Sequence, residues 1–122
     1  MAGTVVMSTL SDGTNSTSST NAIKGSAKAW VNFAGSTATI RGSFNVSSIT
    51  RTATGNYTVN FTTAMPNTNY SLSGMMDSAS AGNGGIVDIN GSLLTSSVPV
   101  RTVNAATSIP DAATCCVTVF ST

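Results

Sequence analysis

Asp12, Asp77, Asp88 and Asp111 are the only side-chain carboxylates in this chain, which has no glutamate and no histidine. Without histidine, the usual Ser/His/Asp and Cys/His nucleophilic systems lack their general base. Two carboxylates alone can still cleave a glycosidic bond, if the fold holds them at a set separation across it. Asp77 and Asp111 both lie at or near segments that read as loops, yet nothing in their spacing brings them together. They read as solvated turn residues. "GNGG" at 82–85 lacks the Lys and Ser/Thr that complete a phosphate-binding loop, and no helical pattern follows it. "SDGTN" at 11–15 supplies one carboxylate, far short of a calcium-loop set.

The two thiols are Cys115 and Cys116, adjacent in "TCCVTVF". On a strand, neighbours point to opposite faces, so these two cannot easily bridge each other. The expectation is one buried thiol and one at the surface or an interface. With no CxxC and no histidine, no metal or redox role is expected. The chain is expected to need no cofactor and to be no enzyme.

The elements that position these residues follow from composition and periodicity. At 122 residues the chain suits one domain with a modest core. Charged residues make up 7%, against about 25% in ordinary soluble domains. Ser and Thr supply about a third of the chain. Hydroxyls and amides, not ions, wet such a surface, so salt has little to screen. The net charge is +1 with no basic cluster beyond Lys24 and Lys28, so no nucleic-acid partner is expected. No apolar run reaches the ~18 residues of a membrane span, and the first residues lack the pattern of a secretory signal. Six Asn-x-Ser/Thr triplets carry little weight in a chain this rich in those residues.

Residues 1–26 separate from the rest. "TVVMSTL" reads as a short strand, and "SDGTNSTSSTN" as an irregular arm too polar to fold alone. From residue 27 to 122 the period is two. "AKAWVNF" places Ala27, Ala29, Val31 and Phe33 on one face and Lys28, Trp30 and Asn32 on the other. "TIRGSFNVSSI" places Ile40, Phe44 and Val46 together. "NYTVNFT" alternates Tyr57, Val59 and Phe61 with polar residues. Pro66 breaks the pattern. "YSLSGMM" resumes it with Leu72, and "IVDIN", "SLLTS", "VPVRTVN" and "CCVTVF" follow, separated by loops. Turn signals every 8 to 12 residues predict an all-β fold. The expected architecture is a single antiparallel β-sandwich (jelly-roll-like) domain over 27–122 with an extended N-terminal arm over 1–26. The expected core is Ile40, Phe44, Val46, Tyr57, Val59, Phe61 and Leu72.

Trp30 and Phe120 then point away from the core. Leaving an indole wet forgoes roughly 25 cal/mol per Å² of apolar area. Another subunit, or the N-terminal arm, is expected to cover both.

The stretch from residue 25 to 72, with "AKAWVNF", "SFNVSSIT" and "GNYTVNFTTAMPNTNY", resembles a module of bacteriophage tail-fibre and fibre-like virion proteins of aquatic phages and cyanophages. The likeness extends weakly to residue 122. The resemblance implies a homotrimeric β-sandwich on the virion surface, assembled in the host cytoplasm, with no catalytic residues and no membrane insertion. It implies loops that contact a host surface glycan or protein. The candidates here are the loop with Asp77 and Asn83 and the loop with Asp111. Such modules often end a longer fibre, whereas about 25 residues precede this one. A short component would anchor to other virion proteins through its N-terminal arm. That keeps a capsid decoration, cement or head-fibre role open beside the fibre role.

Overall fold

The computed structural model describes residues 3–77 and 84–122. Eight strands form one antiparallel sheet: β3 (Ala29–Ala34), β4 (Thr39–Phe44), β5 (Val46–Ala53), β6 (Asn56–Phe61), β7 (Ser71–Asp77), β8 (Gly85–Ile89), β9 (Ser97–Asn104) and β10 (Thr114–Phe120). Their order is β4-β3-β10-β7-β8-β9-β6-β5. The sheet rolls until its two edge strands, β4 and β5, approach each other, which makes it nearly a barrel. The protein is therefore all-β and sandwich-like, with both layers drawn from one sheet.

Period-two patterning builds the core. Ala29, Val31 and Phe33 are buried on β3, and Tyr57, Val59 and Phe61 on β6. Val98, Val100 and Thr102 face them from β9, and Cys115, Val117 and Val119 from β10. Phe33 meets Tyr57 edge-on at 5.1 Å, and Phe61 meets Tyr70 edge-on at 5.9 Å, the geometry that ring quadrupoles favour. Val46 is buried as expected, and Ile40 and Leu72 are partly buried against the same cluster.

Phe44 departs from the expectation. It is 54% exposed on the outer face. The cause is a bulge: Asn32 pairs with Gly42 but Phe33 pairs with Ile40, so Arg41 is an extra residue. One extra residue inverts the alternation along the rest of the strand. Ile40 faces inward beside Phe33, and Phe44 faces outward opposite Trp30. "TIRGSFNVSSI" is also two strands, not one. Asn45 sits between them at φ +55°, a left-handed conformation that asparagine tolerates better than most residues. Its amide then ties three segments. Nδ2 donates to the carbonyls of Lys28 (3.0 Å) and Thr63 (3.1 Å), and Oδ1 accepts from the Thr63 N–H at 2.7 Å.

The arm is more regular than its composition suggests. Strands β1 (Thr9–Ser11) and β2 (Ser16–Ser18) form a hairpin, and α1 (Ser19–Gly25) follows. Asp12 organises the turn by accepting from the N–H groups of Thr14 (2.9 Å) and Asn15 (2.7 Å), an Asx-type device. Those hydrogen bonds hold its carboxyl below the ordinary value. Ser18 caps α1 by accepting from the Asn21 N–H at 3.1 Å. None of these three elements has a buried residue. Periodicity could not reveal them, because three-residue strands and a seven-residue helix are specified by turns and caps.

Candidate binding surfaces

The strand registers give the body two distinct ends. At one end lie the turns β3–β4 and β5–β6, the strand ends at Asp77 and Gly85, and the β9–β10 loop. At the other lie Lys28 with the arm, Asn45, the β6–β7 and β8–β9 connections, and the C-terminal Ser121 and Thr122. Asp77 and the β9–β10 loop with Asp111, both expected to face a receptor, therefore lie at the same end of the body, opposite the arm. Asp77 is exposed there, and Asn83 lies outside the described residues.

Asp111 has a different placement from a free loop carboxylate. Its Oδ1 accepts from Arg51 Nε (3.0 Å), the Gly55 N–H (2.9 Å) and the Tyr57 hydroxyl (2.9 Å). Its Oδ2 accepts from Arg51 Nη2 at 2.6 Å. The Arg51 guanidinium, and then the Gly55 and Tyr57 donors, hold the carboxyl down to about 2 against desolvation. Burial, then the bond to Asp111, pushes the Tyr57 phenol well above its ordinary value. Asp111 thus fastens the β9–β10 loop onto the β5–β6 turn.

Other bonds fix the same loop. The Thr102 hydroxyl contacts the carbonyls of Pro110 (2.5 Å) and Gly55 (3.2 Å). The Ala113 N–H donates to the Asp77 carbonyl, and the Gly35 N–H to the Ala112 carbonyl, both at 2.9 Å. Gly55, at φ +64°, is required: a Cβ there would lie 2.6 Å from Ile109 Cγ2 and 2.8 Å from the Pro110 carbonyl. The loop is a fastened lid over this end of the sheet, with Thr107 and Ile109 exposed on its outer side. Sequence reasoning missed the fastening: Arg51, Gly55 and Tyr57 share the β5–β6 hairpin, but Asp111 reaches them only through the tertiary fold.

The opposite end carries an open groove of about 700 Å³. Ala27, Phe44, Ala64, Met65 and Pro66 give it an apolar lining, and Asn45 lies in its wall. Near it, Ser121 Oγ is buried without a hydrogen-bond partner among the described residues.

Trp30 is 43% exposed and Phe120 37% exposed, both on the outer face. Lys24 of α1 lies with Phe120 around a shallow recess. Cys115 is buried, which pushes its thiol up to about 12, while Cys116 is exposed. Asp88 pairs with Arg101 at 2.8 Å across β8 and β9. Among the described residues, no three His, Cys, Asp or Glu side chains gather closely enough to hold a metal ion, and no helix is long and apolar enough to cross a membrane. Comparison with protein-family models, curated proteins and solved structures found no match to this chain.

Proposed function

We propose that this protein is a non-enzymatic bacteriophage virion surface component, a homotrimer that acts as a tail-fibre or receptor-binding head. The observation that carries this reading is the two-ended layout. The arm joins the rolled sheet at one end, while Asp77, Gly85 and the β9–β10 loop lie at the other, as attachment at one end and display at the other require. The lid of the β9–β10 loop adds to it. A loop fixed by an ion pair and several backbone bonds loses little freedom when it meets a partner. The sparse charge also suits a surface that meets variable salt and pH. The sequence resemblance points the same way.

A second reading is a capsid decoration, cement or head-fibre protein. The arm favours it. Val5, Val6, Met7, Leu10 and Ile23 are all exposed, and a hairpin with one short helix is marginal by itself. Docking on neighbouring virion proteins would cover those side chains.

Copy number separates the two roles. Quantitative mass spectrometry of purified virions would give the ratio of this chain to the major capsid protein. A ratio of a few per cent, with soluble protein that binds host cells, supports the fibre role. A ratio near that of the capsid protein itself supports decoration. Absence from virions would overturn both.

A further inference from the structure

The groove at the arm end of the body is left incomplete by the single chain. Phe44, 54% exposed, forms part of its apolar lining with Ala64 and Pro66. Among the described residues, Lys28 is the one charged side chain in that lining. Its ammonium is already engaged by the Ile23 carbonyl and the Ser26 hydroxyl. Ser121 also lines the groove. Alternation along β10 turns it inward after Val117 and Val119, and its buried hydroxyl has no partner among the described residues. Most buried polar groups are satisfied, so an orphaned one marks a place where something else binds.

Residues 3–7 show the complementary deficit. They belong to no strand or helix and make no backbone hydrogen bond to the other described residues. Val5 is 78% exposed and Val6 92%, and residues 3–10 carry no charged side chain. Their own arm offers them only an open recess beside Leu10 and Ile23. The arm does not fold back over its own groove. Only three residues, Ser26 to Lys28, separate α1 from β3. That link is clamped, because the Ile23 carbonyl accepts from the Ser26 hydroxyl at 3.0 Å and from the Lys28 ammonium. Helix α1 packs on β1 and β2.

We infer that Val5, Val6 and Met7 of one copy dock, as an extended segment, in the groove of the next copy. Each chain carries one such segment and one such groove, so copies supply each other one to one. The segment covers Phe44 and brings unpaired backbone N–H and C=O groups to the groove that holds Ser121. Being uncharged, it enters beside Lys28 without burying an ion. Donor and acceptor surfaces differ, so the contact is heterologous and runs head to tail. It closes as a ring when the third arm meets the first body, which is the symmetry a homotrimer needs. The inference rests on the homotrimer reading and names the contact that holds the trimer together.

The test uses the full chain with Val5→Glu and Val6→Glu combined. Alternate residues of an extended segment face opposite ways, so the pair puts a carboxylate into the groove whichever face enters. Both positions lie outside every helix and strand, so the body should still melt cooperatively. Burying a carboxylate there should raise the dissociation constant by about 100-fold or more. Light scattering should then give the single-chain mass of 12.2 kDa for the variant and a trimer for the wild type at the same concentration. Cross-linking is an independent reading. Val6→Cys and Ala64→Cys, combined with Cys116→Ser, should be joined between chains by a short bismaleimide, giving two- and three-chain bands on a denaturing gel. If the glutamate variant keeps the wild-type mass, or the cross-linker joins the two sites within one chain or not at all, the arm does not link the copies and the trimer uses another surface. A wild-type protein that is a single chain at high concentration would overturn both this inference and the homotrimer.

Discussion

Asp111→Asn isolates the carboxylate that fastens the lid. The substitution keeps the size of the side chain and an oxygen that can accept from Gly55 and Tyr57, but removes the charge that Arg51 binds. The magnitude follows from the proton. The Asp111 carboxyl falls from an ordinary 3.8 to about 2 in the folded protein, and one unit corresponds to ~1.4 kcal/mol. Folding therefore gains at most roughly 2.5 kcal/mol from the ionised form. Arg51 is partly solvated, which reduces the expected loss to about 1–2 kcal/mol. A depressed carboxyl contributes stability that is present above its unfolded value and lost as pH falls through its folded value. The gap between wild type and Asp111→Asn should thus be full above about pH 5 and gone below about pH 2. Urea denaturation at pH 7, 4 and 2, at one fixed protein concentration, measures it. Asp111→Ala should cost more, about 2–4 kcal/mol, because it also strands the Tyr57 hydroxyl and the Gly55 N–H. A wild-type–Asn gap that is equal at pH 7 and pH 2 would refute the assignment of the ion pair.

Three other outcomes follow from the packing. Phe61→Ala, which empties a buried site beside Tyr70, should cost about 3–5 kcal/mol; a melting temperature within a degree or two of wild type would contradict it. Asn45→Ala should cost about 2–3 kcal/mol, since it strands the Thr63 N–H and leaves alanine in a left-handed conformation. Its hydrogen exchange should accelerate at Thr62 and Thr63 first, and protection there equal to wild type would count against the three-way tie. Cys115 should resist thiol reagents at pH 8 in the folded protein and react once it is unfolded in guanidinium, because burial raises its pKa to about 12; labelling of two thiols per folded chain would contradict this.

Much of the body was legible in the sequence because a strand's side chains alternate whatever the strand packs against. Tyr57, Val59 and Phe61 declared their face, as did Val31 and Phe33, and Trp30 and Phe120 were assigned outward by the same rule. The adjacent thiols divided into one buried and one exposed for that reason too. Phe44 escaped the rule because the bulge at Arg41 depends on how β4 pairs with β3, which no local pattern encodes. The arm's hairpin and helix escaped it because they rest on turn and cap bonds, not on a buried face.

The candidate sites divide along the same line. Composition alone removed histidine chemistry, since absent residues cannot be supplied by folding. Which side chains meet was decided by the tertiary structure. Asp111 lies 60 residues from Arg51 and 54 from Tyr57, and Met75 meets Cys116 and Ile86 only through strand order. Those separations are closed by long-range pairing, whose register is set by the whole rolled sheet and not by any one segment of it.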